Sequence, residues 1–450
     1  MDHFPPAMAQ PQAPDRPATA FVAFRGKTLF ERLGDPRIGL HPADADGNDA
    51  DFIVIPYPYS TAGHDMHPGL ARMLADEVPD ALIRRLRDGL ATVVFDASAE
   101  GYPHSAARSD WIHQGLAELG VAADACLMIT QERNYAADYA EYAARRGVRE
   151  RVGVAAYDLW IKRFHDQFEV EGEKWHRKRL KAFRARQAAR SRRFISLNLT
   201  ARAMKVLFLL RLIKDDLWDS GHISFGGFDR RLNDFDPAAS RRRRTAADFL
   251  QEKLGSHHDF RDMVEELAPC MESLEAKGQL IIGEVRQDGG GRIAKSPFKD
   301  LKLDEYDDSW FSVVTETEMR DRPSRITEKP FKPLANFHPL IVLGNPGSLR
   351  MIREFGYRTF DGAIDESYDE EPDPRRRFDM AYAEFVRLCR MDADELVRFE
   401  ASLAETLAYN ARWALLEMPR IYREQRDVAL ADQLLAMRAR ARARASTPAA

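Results

Sequence analysis

Glu328 and Lys329 stand side by side in the stretch ITEKPFKPLANFHPLIVLG (residues 326–344), with Thr327 before them, Lys332 after them, and an apolar run behind. The pattern predicts a short helix with charges in its first turn, followed by a strand. A helix start offers backbone N–H groups without intrahelical partners and the positive end of the dipole, so two lysines there add charge where an anion already prefers to sit. A neighbouring carboxylate can accept hydrogen bonds from two vicinal hydroxyls, and cations stabilise charge that builds up on a departing diphosphate. The chemistry therefore suits a nucleotide diphosphate. The plainer reading makes Thr327 an N-cap and the two charges ordinary first-turn residues.

Such residues need a scaffold, and 450 residues exceed what one core usually accommodates, so two domains are expected. Residues 1–18, rich in Pro, Ala and Gln, read as disordered. Over 19–173, the apolar runs ATAFVAF, DFIVIPY, ATVVFDAS, DACLMIT and VGVAAYD alternate with helical patterns such as LARMLADEVPDALIRRLRDGL, which predicts parallel strands with crossover helices. The basic segment 174–193 (KWHRKRLKAFRARQAARSRR) reads as a charged helical linker. A second α/β series follows over 194–375: RRFISLN, the apolar helix MKVLFLLRLIK, GHISFGG, KGQLIIGEV, SWFSVVTET, HPLIVLG and YRTFD. Residues 376–436 have helical spacing without an interrupting Pro until Pro419, and 437–450 read as a basic disordered tail. The expected architecture is α/β: two Rossmann-like domains facing a cleft at their strand C-termini, where ligands of such sheets bind, with a helical C-terminal region.

Composition narrows the function classes. A net charge of -4 argues against a general nucleic-acid binder, although 174–193, Arg241 to Arg244 and RARARARA at 438–445 are basic. Those runs are expected to be solvated faces, with peripheral contact of the tail with an anionic membrane as a second reading. No apolar run approaches a membrane span and no secretory leader is recognisable, so a cytoplasmic protein is expected, if need be at the inner face of the membrane. Cys126, Cys270 and Cys389 match neither a zinc spacing nor a disulfide framework and are expected to be inert. There is no GxxxxGK[ST] and no strand-linked GxGxxG, which lowers the kinase, sulfotransferase and dinucleotide readings. The spacing of Asp365, Glu366 and Asp369 fits no metal cage, and neither metal nor cofactor is expected.

The stretch TETEMRDRPSRITEKPFKPLANFHPLIVLG resembles the signature of the α-1,3-fucosyltransferase family, and SLNLTARAMKVLFLLRL resembles that family's earlier strand-loop-helix with an Arg after the strand. The resemblance covers roughly 192–345. It implies a GT-B fold and metal-independent, inverting transfer from GDP-fucose. It also implies Glu328 on the ribose, Lys329 on the diphosphate, Arg202 as a second phosphate contact, and Glu316 beside the donor sugar. Thr317 stands where the family has Asn, and NPGSLRMIREFGYRTFD after Gly344 matches nothing in it, so the sugar is left more open than the diphosphate. Lys205 shares a helix face with Arg202. Asn345 to Ser348, with Gly347, offer a second loop whose backbone could approach a phosphate or a sugar; ordinary turn chemistry is the other reading.

Inverting transfer needs a base for the acceptor hydroxyl. VVFDASAEGYPH (93–104) supplies Glu100 first and Asp96 second; Asp96 could instead hold its own loop. Tyr57, Tyr59, His64 and His67 could line an acceptor rim. The expected activity is sugar transfer from a nucleotide-diphosphate donor, GDP-fucose or another GDP-sugar, to a glycan or glycoconjugate hydroxyl. The alternatives are a non-catalytic nucleotide- or glycan-binding protein and a nucleic-acid binder that uses the basic runs.

Overall fold

Runs of buried β-branched and aromatic residues set the frame. FIVIP, TVVFDA and LMIT are apolar without strict alternation, the pattern of strands covered on both faces, and they form neighbouring parallel strands. The computed structural model describes residues 19–23, 40–42, 50–56, 69–99, 101–186, 189–228, 245–250, 254, 258–280, 282, 285–287, 293–295, 304–321 and 325–445. The expectations for 1–18, for Tyr57, Tyr59, His64 and His67, for Glu100 and for Arg241 to Arg244 lie outside them.

The chain divides into two units, Met1–Leu159 with Arg423–Ala450, and Trp160–Tyr422. In the first, β1 (Thr19–Ala23), β2 (Leu40–Pro42), β3 (Phe52–Pro56), β4 (Thr92–Ala97), β5 (Leu127–Thr130) and β6 (Gly153–Ala156) form a six-stranded parallel sheet in the order β2-β1-β3-β4-β5-β6. The single helical pattern LARMLADEVPDALIRRLRDGL becomes two helices, α1 (Leu70–Glu77) and α2 (Asp80–Arg87), because Pro79 cannot continue the first. With α3 (Ala106–Leu119) and α4 (Tyr135–Arg146) they bury Leu74, Leu82, Ile112, Leu116 and Tyr142 in one core with Ile53, Val93, Phe95 and Met128 of the sheet.

The second unit carries the other parallel sheet: β7 (Phe194–Asn198), β8 (Gly221–Phe225), β11 (Phe311–Thr315) and β12 (Leu340–Leu343), in the order β12-β11-β7-β8. Between β8 and β11 lies a two-stranded antiparallel pair, β9 (Val285–Gln287) and β10 (Ile293–Lys295). Among the described residues, the expected strand KGQLIIGEV contributes a bridge from Leu280 to Phe225 and, with Val285, the first residue of β9, and YRTFD is represented by a bridge from Asp361 to Ile364. Helix α5 (Gly172–Arg184) precedes the sheet, and α6 (Ala203–Lys214) follows β7, apolar nearly all round and buried accordingly. Two short helices, α7 (Phe331–Ala335) and α8 (Ser348–Glu354), flank β12, and α9 (Pro374–Arg390) and α10 (Ala393–Arg412) confirm the expected helical region.

Three boundary expectations are corrected. The units divide at Leu159/Trp160, not within 174–193. That basic segment is no linker: Arg179, Arg186 and Arg190 are buried, with side chains 5 %, 1 % and 3 % exposed, and are paired with Asp307 and Glu400. The tail expected to be disordered from 437 is helical through Ala445, in α11 (Asp427–Ala445), which returns to the first unit. Its Leu430, Leu434, Met437 and Ala441 repeat at helical spacing and are buried. Arg438 and Arg442 meet the buried Asp51 at 2.8 and 2.9 Å, and Arg444 reaches Asp124 and Glu150 at 2.6 and 2.9 Å. Among the described residues no helix is long and apolar enough to cross a membrane.

All three cysteines are free, and burial pushes the thiols of Cys126 and Cys389 up to about 12, which leaves both protonated and poor nucleophiles.

Candidate functional site

The strand order of the second sheet reverses at β7: β8 lies on one side, β11 and β12 on the other. In open parallel sheets the space beyond the strand C-termini at such a reversal is where ligands bind. The ends of β7 and β11 are joined by buried polar groups: Thr315 Oγ1 donates to Asn198 Oδ1, Asn198 Nδ2 donates to Ser196 Oγ at 2.8 Å, and Asn198 N donates to Ser224 Oγ at 3.0 Å. This ladder, which the sequence reading missed, fixes the position of the next residue, Glu316. Its members lie on separate runs whose alternation marks them only as inward-facing.

Glu316, 4 % exposed, is met by the turn that holds Thr327 and Lys329. Thr327 Oγ1 lies 2.9 and 2.8 Å from the two carboxylate oxygens, Thr327 N donates at 3.3 Å, and Lys329 Nζ sits 3.1 Å from Oε2. Lys329 Nζ also reaches Thr317 Oγ1 at 3.3 Å and Thr327 Oγ1 at 3.0 Å. Burial pushes the Glu316 carboxyl up, but the Lys329 ammonium and the Thr327 donors outweigh it and hold the group below its ordinary value. Glu316 is thus a buried carboxylate that stays charged because a lysine faces it.

Glycine at 344 leaves room for a close approach here. It is next in register beyond Leu343, which pairs with Thr315, and a Cβ on it would stand 3.2 Å from Glu316 Cγ and 3.0 Å from Ser348 Oγ. Behind it, the fully buried guanidinium of Arg377 donates to Gly344 O at 3.0 Å, Arg320 O at 2.8 Å and Pro372 O at 3.1 Å, tying the loops after β11 and β12 together; burial lowers its pKa to about 10. Asn345 Oδ1 adds a bond from Arg320 N at 2.9 Å.

The predicted residues fall into three groups. Glu316, Thr327 and Lys329 are gathered, but Glu328 and Lys329 lie in the turn before α7 and not inside it, because Pro330 occupies the N-cap and the helix is only Phe331–Ala335. The Glu328 carboxylate, half-buried, has no partner among the described residues, and Lys332 follows on α7.

Arg202 stands apart on the neighbouring loop, exposed, as the N-cap residue of α6. The first turn of α6 holds no acid and Arg202 gives it no side-chain cap, so this helix end keeps its positive character. Lys205 is buried on the same helix, 6 % exposed.

The loop at Asn345 and Gly347 forms the third group and is spent on the chain itself. Gly347 adopts φ 74°, its N–H donates to Asp369 O at 2.8 Å, and the Asp369 carboxylate accepts from Leu349 N and Arg350 N at 2.9 and 3.0 Å. A carboxylate thus occupies the place a phosphate would take at the start of α8. Glu366 accepts from Phe360 N and faces Arg353, and Asp365 accepts from Ser367 N, so the three acids of that loop do separate structural work. Among the described residues no cluster of three His, Cys, Asp or Glu side chains could hold a metal.

In the first unit Asp96 is the last residue but one of β4 and accepts from Ser98 N and Ser98 Oγ at 3.0 and 2.6 Å, the loop-holding arrangement. Two buried acids missed by the sequence reading follow the adjacent strands. Glu132 accepts from Asn134 N, and Asp158, beside Arg133 at 2.6 Å, has its carboxyl pushed up by burial against that cation.

No protein-family model matches this chain, and no curated protein matches it.

Proposed function

We propose that the protein is a glycosyltransferase of GT-B type that takes a sugar from a nucleotide-diphosphate donor, with a GDP-sugar such as GDP-fucose favoured, and passes it to a hydroxyl of a glycan or glycoconjugate. The observation that carries the reading is one juxtaposition. The residues with the required chemistry follow β7 and β11, the adjacent strands at which the sheet order reverses: Arg202 at an uncapped helix start on one side, and Glu316, Thr327, Glu328 and Lys329 on the other. Lys329 and Arg202 supply charge for the diphosphate, Glu328 a free carboxylate for ribose hydroxyls, and Glu316 a buried acceptor beside the sugar. Inversion and independence of metal belong to the same proposal. Glu100 and Asp96 are its candidate bases, with Asp96 the weaker because Ser98 already engages it.

The nucleic-acid reading keeps fewer of its residues: the arginines at 179, 186 and 190 are buried in ion pairs and those at 438, 442 and 444 face acids of their own unit, while Lys174, Arg177, Lys178, Lys181 and Arg184 stay exposed.

Incubation with a panel of nucleotide sugars is the test. Release of nucleoside diphosphate from one of them, accelerated by a glycan acceptor and unaffected by EDTA, is the expected outcome. Release from none of them, in protein that still binds the nucleotide, would reduce the protein to a binding module.

A further inference from the structure

The ammonium of Lys329 has three N–H donors, and three acceptors already surround it: Glu316 Oε2 at 3.1 Å, Thr327 Oγ1 at 3.0 Å and Thr317 Oγ1 at 3.3 Å. Its side chain is nonetheless 24 % exposed, so an incoming anion can reach it, whereas Glu316, 5 % exposed, lies beneath it and opens to a ligand only as the ammonium moves aside. An anion that binds Lys329 must therefore take it from Glu316. Among the described residues that exchange leaves a buried carboxylate with the Thr327 hydroxyl and N–H as donors, beside a second negative charge, a state that costs far more than losing an exposed pair.

From this geometry, and resting on the donor-site reading above, we infer that Glu316 is a built-in competitor for Lys329, so that the site holds a bare diphosphate weakly and prefers a ligand that brings an anion and a hydroxyl donor side by side, as a glycosyl phosphate does. The anion takes over Lys329 while the hydroxyl replaces the ammonium as donor to Glu316. The released leaving group is a bare nucleoside diphosphate, which cannot supply that hydroxyl, so Glu316 reclaims Lys329 and the product is expelled. The same pair then favours substrate over product without any further element.

Glu316→Gln separates the possibilities, since glutamine keeps the acceptor for Thr327 and removes the charge. Affinities for pyrophosphate, GDP and a GDP-sugar are measured by calorimetry in both proteins, with thermal melting as the control for folding. The variant is expected to bind pyrophosphate and GDP at least about tenfold tighter than the unaltered protein, about 1.4 kcal/mol, and to lose the preference for the GDP-sugar over GDP. Thr317→Val, which removes one acceptor from Lys329 and leaves Glu316 in place, should shift GDP affinity in the same direction by less. Unchanged or weaker GDP binding by a folded Glu316→Gln protein that still binds the GDP-sugar overturns the competition alone. Absence of binding by every protein overturns the donor-site reading with it.

Discussion

Lys329→Ala is expected to weaken binding of the nucleotide-diphosphate donor at least about a hundredfold while leaving the fold assembled. A charge-assisted hydrogen bond contributes about 1.5–3 kcal/mol, and the substitution does more than delete one. It leaves the Glu316 carboxylate, 4 % exposed, without its cation at the place a phosphate has to approach. Repulsion therefore adds to the lost contact. The same stranded charge lowers stability, and the sign with pH is fixed: Glu316 is held below its ordinary value in the native state, so its pairing stabilises the protein at neutral pH and that contribution fades as pH falls through the carboxylate range. The double variant Lys329→Ala/Glu316→Gln tells the two effects apart. It should regain melting temperature without regaining wild-type donor affinity, as read by thermal denaturation and calorimetry on the same samples. If Lys329→Ala binds the donor as the unaltered protein does, Lys329 is only the structural partner of Glu316.

Arg186→Ala is expected to destabilise the second unit by about 3–5 kcal/mol, the range for removing one member of a buried ion pair. The guanidinium is 1 % exposed and uses every face: Nε to Asp307 at 3.0 Å, Nη1 to Phe337 O at 2.9 Å, and Nη2 to Asn336 O at 2.6 Å, with Glu400 at 3.4 Å. Burial lowers its pKa, and Asp307 and Glu400 oppose that. The two carbonyls lie at the C-terminal end of α7, where a helix leaves acceptors unsatisfied and favours a cation. Phe337 holds φ 58°, an uncommon region for a residue with a Cβ, and stacks on Phe183 with ring centroids 4.8 Å apart. Arg186 therefore anchors the segment that carries the chain from Lys329 into β12. Lysine cannot reproduce a planar fork with several fixed donors, so Arg186→Lys should recover only part of the loss. Guanidinium denaturation of both variants is the measurement; a change below about 1 kcal/mol in Arg186→Ala would remove the anchor from the account.

What could be seen in the sequence followed chain distance and periodicity. The strands β3, β4, β7, β11 and β12 announced themselves as short buried apolar runs, and Glu316 and Lys329 were each singled out, although not as partners of one another across the 13 residues between them. Density of charge was the misleading signal. The segment 174–193 looked solvated, yet Arg186 and Arg190 meet Asp307 and Glu400 across separations of 121 and 210 residues, which no local pattern reveals. The tail failed for the same reason, since Arg442 meets Asp51 across 391 residues. At Asn345 to Ser348 the glycine loop was recognised correctly as a turn into a helix. Its N–H groups were nevertheless taken by Asp369, an acid that the sequence offered only as part of an acidic run.

Titration of the intact protein with GDP, UDP, CDP, ADP and the matching nucleotide sugars, followed by melting temperature, tests the central claim most directly. A ligand that binds only the native state raises stability by about 2.7 kcal/mol at a hundredfold excess over Kd. The account predicts a rise with one nucleotide class, GDP foremost, a larger rise with its sugar conjugate than with the bare diphosphate, and loss of both rises in Lys329→Ala. No shift with any nucleotide or nucleotide sugar would contradict it.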